Sequence, residues 1–241
     1  VSYRRRSPEK TADEIEFIIA NYNPDMLWFV DDVFTVSHKW LTKLLQVFNE
    51  RNIKIKFECI SRSDRLNEEV IIILKQLGCF RLWIGAESGS QHVLDLMDRR
   101  VSAADTREKI KLTRSHGIEA GTFIMLGYPG ERKQDIIETT EHLKDSNPDI
   151  FLTTVAYPIK GTPFYTEVES KLVTDKKWHE RTDRDLDFKG RYSKKFYKHA
   201  NRYMVNEVNY FKMKKSGAGF ASYGKTYLKA KISRLMMSLV K

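Results

Sequence analysis

Short apolar runs alternate with amphipathic stretches along most of the chain. Each run is rich in β-branched or aromatic residues and is bounded by turn-forming residues, a pattern typical of buried strands. Five runs are evident, at 26–30, 53–59, 80–84, 120–126 and 151–156. Their starts lie 27, 27, 40 and 31 residues apart, which leaves room for one crossover helix between consecutive strands.

The stretches between the runs predict helices with recognisable starts. Ser7 precedes a proline, an arrangement that caps a helix N-terminus, and isoleucines then recur on one face. Ser37 and Asn67 open similar stretches, and two more begin near Ser102 and Arg132. Strict alternation of strand and helix predicts an α/β fold with a parallel sheet, either open or closed into a barrel.

Composition narrows the class of protein. The 241 residues suit one large domain or two small ones, and 41% hydrophobic with 31% charged residues is typical of a globular chain. No run approaches the roughly 20 apolar residues of a membrane span, so an integral membrane protein is excluded, as are a collagen, a coiled coil and a disordered tail. Two cysteines, Cys59 and Cys79, form neither a disulfide framework nor a CxxC pair, which predicts a reducing, cytoplasmic compartment.

Charge is unevenly distributed along the chain. Residues 189–241 contain 14 Lys or Arg and one acid, Glu207, so the net charge of this tail is +13. The net charge of the whole chain is +10, so residues 1–188 carry a net charge of −3. The shift predicts a boundary that separates a domain at 1–188 from a basic, aromatic-rich extension at 189–241. Within the extension, 194–215 and 225–240 are predicted to be helical.

The basic tail permits three interpretations. Its aromatic rings beside cations suit stacking on nucleobases or contact with an anionic membrane surface, whereas a structural extension would pack the rings on the barrel and leave the lysines in solvent. The last helix is amphipathic and basic, and membrane contact is favoured over nucleic acid there. Its apolar residues are Tyr227, Leu228, Ile232, Leu235, Met236 and Leu239. A P-loop-like match at 219–226 is discounted, because the preceding segment is polar and no acid follows.

Polar residues and glycines follow every predicted strand. In a parallel α/β fold the carboxyl ends of the strands converge on one face, where ligands bind. Helix capping or a tight turn explains each residue taken singly, but their coincidence on one rim favours a site for a polar ligand. The candidates are Asp31, Asp32, Arg62, Glu87, Ser88, Gly127, Glu131, Tyr157 and Pro158.

Six segments in this order resemble the radical S-adenosylmethionine (radical SAM) superfamily. The likeness is strongest to the branch whose members often carry an N-terminal cobalamin-binding domain, and it covers about residues 3–165. The ordered set is specific, although no single segment is. The segments are RSPE, DDVFT, Arg62 with RL at 65–66, IGAESGSQHVLDLM, GTFIMLGYPGE and PIKGTP.

The resemblance implies a partial, TIM-like (β/α)6 barrel with S-adenosylmethionine across the carboxyl ends of its strands. It would place Asp31 and Asp32 near the methionine amino group, and Glu87 and Ser88 by the ribose or the methionyl moiety. Either of two arginines would pair with the methionine carboxylate, since a guanidinium offers a bidentate match. These arginines are Arg62 and Arg99. The segment from Gly127 to Glu131 and the backbone around Tyr157 and Pro158 would flank the adenine.

The resemblance also implies a reaction and its cofactors. A four-iron four-sulfur cluster, reduced by an electron donor of the flavodoxin or ferredoxin type, would cleave S-adenosylmethionine to a 5′-deoxyadenosyl radical. The protein's share would be orientation and exclusion of water. Cobalamin would be a further cofactor held by an upstream domain. Methyltransferases and ring-forming enzymes both occur in this branch, and the substrate, small or lipid-like, is left open.

The sequence lacks the cysteine motif that is typical of the family. Members bind the cluster through CxxxCxxC after the first barrel strand, and these 241 residues contain no such motif. Cys59 and Cys79 are expected to be ordinary buried residues. Five strands are predicted instead of six, so we expect a chain that lacks the first βα unit and is inactive alone. The alternative is an inert barrel whose tail binds membrane or nucleic acid.

Overall fold

The computed structural model describes residues 5–173, 177–180 and 182–240, without the side chains of residues 178 and 184. Its main sheet has five parallel strands in the order β1-β2-β3-β4-β5, as expected for a partial TIM-like barrel. A two-stranded antiparallel sheet pairs β6 with β7. The strands are β1 Leu27–Phe29, β2 Phe57–Ser61, β3 Cys79–Glu87, β4 Glu119–Leu126, β5 Ile150–Val155, β6 Leu172–Val173 and β7 Asp187–Phe188.

Helices alternate with the strands of the main sheet and then continue to the C-terminus. The α/β class and the helical C-terminal region predicted from the sequence are therefore confirmed. None of the described helices is long and apolar enough to span a membrane. The helices are α1 Pro8–Tyr22, α2 His38–Glu50, α3 Glu68–Leu77, α4 Gln91–Leu96, α5 Ala103–Ser115, α6 Lys133–Ser146, α7 Pro163–Val168, α8 Lys194–Lys215 and α9 Phe220–Leu239.

Three predicted helix caps are present. The Ser7 hydroxyl accepts a hydrogen bond from the backbone N–H of the residue three positions on, at 3.2 Å, and Ser37 does the same at 3.2 Å. The Asn67 side chain caps α3 in the same way at 2.8 Å. Each bond satisfies a backbone donor that the first helical turn leaves unpaired, which is why these residue types mark helix starts.

One strand begins later than its apolar run predicts. The run at 53–59 alternates Ile with Lys at first, yet β2 starts at Phe57. The register explains the difference, because Phe57 is the first residue of β2 opposite a neighbour on both sides, Leu27 on β1 and Cys79 on β3. Lys56 still accepts a backbone hydrogen bond from the N–H of Leu27 at 2.9 Å, so pairing with β1 begins at the residue before Phe57.

The chain forms two compact units. The first comprises residues 1–86, 104–123 and 146–152, and the second comprises 87–103, 124–145 and 153–241. In the first unit, the buried faces of α2 and α3 pack over the sheet in one hydrophobic core with β2 and β3. The sequence-based boundary at 188/189 stays a prediction.

An aromatic stack lies within the first unit. The rings of Trp28 and Trp83 stack at 6.4 Å between centroids, and Trp83 stacks on Phe123 at 4.9 Å. Trp83 donates from Nε1 to the buried carboxylate of Glu58 at 2.6 Å, and Arg81 donates to the same carboxylate at 2.9 Å. The buried charge is thus paired and hydrogen-bonded, as burial requires.

The tail helices α8 and α9 pack against each other in the second unit. Three aromatic side chains of α8, those of Phe196, Tyr197 and Tyr203, are buried. Their burial leaves these rings unavailable for stacking on bases, and the role of the tail stays a prediction. The P-loop-like match lies mostly inside α9, where Lys225 is a mid-helix residue, so no phosphate-binding loop forms there.

Candidate functional site

Glu87 ends β3 in an unusual backbone conformation. Its φ is 60°, a left-handed conformation that costs a non-glycine residue roughly 1 kcal/mol or more. The carboxylate is about 20% exposed and lies 3.4 Å from Nη2 of Arg99. Desolvation raises the pKa of Glu87, and the positive charge of Arg99 opposes that rise. The sequence-predicted residues Glu87 and Arg99 therefore form one ion pair at a strand end.

The loop after Glu87 is fastened to α6. The buried Ser88 hydroxyl lies 3.0 Å from the hydroxyl of Thr139, which also accepts a hydrogen bond from the N–H of Gly89 at 3.0 Å. Ser90 donates from Oγ to Asp135 at 2.7 Å. Ser88 thus holds the loop that carries Glu87, and its assignment to the ribose or methionyl moiety stays a prediction.

Gly89 sits where the loop and α6 come closest together. A Cβ added at this residue would lie 2.3 Å from Cβ of His142 and 2.7 Å from Cα of Thr139. Gly89→Ala should therefore destabilise the protein by about 2 to 3 kcal/mol, since backbone must move to relieve the overlap. Urea unfolding checks this.

The matched control for Gly89 is Gly219→Ala. Gly219 also lies in the second unit, and an added Cβ there would meet nothing within 4 Å. Its effect should be at most about 1 kcal/mol, because Gly219 is the N-cap of α9 and alanine is less favourable than glycine there. Equal midpoints for the two alanine variants would contradict the close approach of the loop to α6.

The turn after β4 buries a carboxyl group. Gly127 has a φ of 79°, and its N–H donates to Oε2 of Glu131 at 2.7 Å. Glu131 is only 8% exposed. Desolvation raises the pKa of Glu131 to about 8, an effect that the hydrogen bond from Gly127 and the charge of Arg191 oppose and the charge of Asp135 reinforces. At neutral pH Glu131 is therefore mostly a neutral acid.

Arg191 joins the ends of two strands of the main sheet. Its Nη1 donates to the carbonyl oxygens of Gly127, at 3.2 Å, and Ala156, at 2.5 Å, just beyond β4 and β5. Its Nη2 lies 2.6 Å from Oδ1 of Asp187, and its guanidinium covers the ring of Phe188 at 4.1 Å. With its side chain 5% exposed, Arg191 is a buried, fully engaged cation.

Arg191 and Asp187 are not among the site residues predicted from the sequence. Arg191 falls among the cations of the basic tail, where a charge count treats each one as a solvated side chain. The sequence feature that could have indicated them is local. In the segment DFKGR an acid and an arginine lie four residues apart, with an aromatic residue, a lysine and a glycine between them. That spacing suits a short strand and turn that closes an ion pair.

A cavity of about 290 Å³ opens beside the end of β5 in the second unit. Among the described residues its lining includes Lys194, Lys198 and the Asp187-paired Arg191, and no carboxylate. Such a lining suits an anionic or hydrogen-bond-accepting ligand group. Tyr157, a predicted site residue, lies on its wall. The remaining lining residues are Val155, Ala156, Leu186, Tyr197 and Asn201.

The other predicted site residues lie in different settings. In the first unit, Asp31 and Asp32 are exposed, and Asp31 borders a cavity of about 380 Å³ that Arg5 and Arg6 also line. Arg62 donates from Nε to Asp64 at 2.8 Å. In the second unit, Pro158 is buried two residues beyond Ala156. The ligand assignments of all these residues stay predictions.

The two cysteines do not form a cluster site. Cys59 and Cys79 are both buried, as expected, and their Sγ atoms are 3.9 Å apart. Desolvation, together with the hydrogen bond to Cys79, raises the pKa of the Cys59 thiol, so it stays protonated. Within the described residues no group of three or more His, Cys, Asp or Glu side chains could hold a metal ion. The described residues therefore do not fit a four-iron four-sulfur cluster, which needs several thiolates.

A family comparison agrees with the fold and with the ordered motifs. The model of the radical SAM superfamily matches residues 1–143 of the chain. The chain belongs to the radical SAM superfamily, whose members use S-adenosylmethionine and a four-iron four-sulfur cluster.

Two curated relatives share about a quarter of their residues with the matched region. An uncharacterized methyltransferase of Pyrococcus horikoshii is 25% identical over 185 residues, which cover 76% of this chain and 40% of the relative. The anaerobic magnesium-protoporphyrin IX monomethyl ester cyclase of Cereibacter sphaeroides is 24% identical over 174 residues, covering 70% of this chain and 28% of the cyclase. The chain thus spans less than half the length of these relatives.

Solved structures of cobalamin-dependent radical SAM enzymes share the fold. The apo form of OxsB superposes with a TM-score of 0.65 at 16% identity and covers 98% of this chain and 43% of OxsB. The methyltransferase TsrM of Kitasatospora setae, with tryptophan and an S-adenosylmethionine analogue bound, gives a TM-score of 0.63 at 16% identity. It covers 72% of this chain and 36% of TsrM.

Proposed function

We propose that this chain forms the S-adenosylmethionine-binding rim of a cobalamin-linked radical SAM enzyme, a methyltransferase or a ring-forming enzyme. The names of the relatives, a methyltransferase and a cyclase, support both reaction classes. The cobalamin-dependent structural neighbours support the link to cobalamin. The substrate follows from neither comparison.

The observation that carries the proposal is the ion pair of Glu87 and Arg99. A carboxylate that is desolvated and held in a strained backbone conformation lowers the stability of the fold. At a strand end the same carboxylate is well placed to bind a polar ligand. Glu87 would accept hydrogen bonds from the ribose or the methionyl amino group, while Arg99 would keep the carboxylate ionised or pair with the ligand's own carboxylate.

The neighbouring groups would position the adenosyl part of the ligand. The backbone after β4 and β5 is held rigid by Arg191 and the Gly127–Glu131 hydrogen bond, so its peptide groups are fixed before any ligand binds. Pre-organised peptide groups bind a ligand with less loss of conformational entropy. Bound S-adenosylmethionine would supply the radical chemistry on one-electron reduction, with methionine as the leaving group, while these residues would hold and orient its adenosyl part.

The proposal places the cluster ligands outside these 241 residues. Because the described residues offer no thiolate set, we expect the chain alone to leave S-adenosylmethionine intact. An electron donor of the flavodoxin or ferredoxin type would act through the cluster. The cluster segment would come from elsewhere in the functional protein.

Glu87→Gln tests the proposed role of the rim. In the full-length protein reconstituted with its cluster, the variant should release 5′-deoxyadenosine about 10- to 150-fold more slowly, since a charge-assisted hydrogen bond is worth roughly 1.5 to 3 kcal/mol. The affinity for S-adenosylmethionine, measured by equilibrium dialysis, should fall in parallel.

Glu138→Gln is the matched control for Glu87. Glu138 is an exposed acid on α6 in the same unit, so its loss should change neither rate nor affinity. If Glu87→Gln cleaves and binds S-adenosylmethionine as the wild type does, Glu87 serves only the structure of the loop, and the proposed rim is wrong.

A further inference from the structure

Helix α9 has two apolar faces, and only one is covered. Ala230, Ser233 and Met237 are buried where α9 packs on α8. On the opposite side, an exposed row that we name the α9 stripe consists of Leu228, Ile232, Leu235 and Leu239, each between 51% and 69% exposed. The spacings of four, three and four residues place the stripe along one line of the helix. Met236, which the sequence grouped with these residues, is half-buried.

Cations border the α9 stripe on both sides. At 100° per residue, Lys225 and Lys231 fall about 60° to either side of the stripe, and both are exposed. Helix α9 carries two further cations and no acid. Long lysine side chains beside an apolar row can extend their charges past it toward a polar layer.

We propose that the α9 stripe docks on the surface of an anionic lipid bilayer, with the helix axis in the plane of the interface. The leucines would enter the boundary between head groups and acyl chains, while Lys225 and Lys231 would meet lipid phosphates and carboxylates. Interfacial helices of this kind bind through buried apolar area and electrostatic attraction together. The buried face on α8 holds the stripe outward before any lipid is present.

Two other occupants match the surface less well. A second copy of the chain would bring another tail of +13 against the first, and like charges at close range oppose that contact. A nucleic acid would meet the lysines but leave the four aliphatic side chains in water, because phosphate contacts gain nothing from them. Only the bilayer surface satisfies the cations and the apolar row at once.

Vesicle co-sedimentation of the 241-residue chain tests this docking without any cofactor, so its outcome is independent of the rim proposal. We expect binding to phosphatidylcholine vesicles that contain about 30% phosphatidylserine, and weaker binding to phosphatidylcholine alone. Part of the binding should remain at about 0.3 M salt, where surface charges are largely screened, while binding to duplex DNA should be lost.

Two double variants separate the two contributions. Leu228→Gln with Leu235→Gln should lower the vesicle partition coefficient at least about tenfold at either salt concentration. Lys225→Gln with Lys231→Gln should lower it about fivefold per lysine at low salt and much less at high salt. The control is the double variant Phe17→Gln with Ile72→Gln, which removes two exposed apolar side chains from the first unit. This variant should bind vesicles as strongly as the wild type does.

Thermal unfolding followed by circular dichroism should show all variants folded, since every substituted side chain is exposed. Three results would overturn the proposal. The first is that the leucine double variant binds vesicles as strongly as the wild type does. The second is that vesicle binding and DNA binding are lost in parallel as the salt concentration rises. The third is a dimer, seen by sedimentation, that the leucine variant abolishes, because it would assign the stripe to a second copy.

Discussion

Arg191→Met is expected to lower the free energy of unfolding by about 3 to 5 kcal/mol, because it removes one partner of a buried ion pair. The substitution keeps most of the apolar volume of the side chain. It leaves the carboxylate of Asp187 without its guanidinium, and it leaves the carbonyl oxygens of Gly127 and Ala156 without their donor. Unpaired buried polar groups are more costly than the net gain from the bond itself. Urea unfolding at neutral pH measures the loss.

Two further variants identify the cause of that loss. Arg191→Met with Asp187→Leu removes both charges and should recover part of the stability, since no charge is then left unpaired. Arg100→Met breaks a second Arg–Asp pair in the same unit, with Asp98 at 2.9 Å, but both side chains there are largely exposed. It should leave the midpoint nearly unchanged. A small effect of Arg191→Met, close to that of Arg100→Met, would show that Arg191 does not join the strand ends.

The sequence predicted the fold well because its signals are local. Each of the five strands of the main sheet appears as an apolar run, whereas the two-residue strands β6 and β7 do not. The Ser7, Ser37 and Asn67 caps act within three residues of themselves. The late start of β2 escaped prediction because it depends on which residues find partners on β1 and β3. Strand pairing is a property of the whole sheet, and the run at 53–59 does not encode it.

The ligand roles of the candidate site residues stay predictions, and the structure adds contacts around them that the sequence does not reveal. Glu87 is the last residue of β3, and Gly127 and Glu131 follow β4, but some of the contacts around these residues come from distant segments. Arg191 reaches the carbonyl of Gly127 across 64 residues of sequence. The sequence predicts Ser88 to be a helix cap or a ligand contact, and in the structure its hydroxyl hydrogen-bonds to that of Thr139, 51 residues away. Pairings over such separations leave no period or spacing in a single sequence.

Glu131 should make the free energy of unfolding depend strongly on pH. The pKa of this carboxyl group is about 8 in the folded protein, against an ordinary value of 4.5, chiefly because burial disfavours the charged form. Between these two pH values the folded state holds a proton that the unfolded state has released. The contribution of Glu131 to stability is therefore fully present below about pH 4.5 and is lost as pH rises to about 8, by an amount on the order of 4 kcal/mol.

Glu131→Gln should remove that dependence. The amide stays neutral at every pH, and its oxygen can still accept the hydrogen bond from Gly127, so the variant should match the wild type near pH 5 and be more stable than it above pH 8. Urea unfolding at intervals between about pH 5 and 9 measures the difference between the two curves. Glu138 is an exposed acid on the same helix as Asp135, so the stability of Glu138→Gln should equal that of the wild type at every pH. Parallel curves for the wild type and Glu131→Gln would show that Glu131 is ionised in the folded state, with Arg191 compensating its charge.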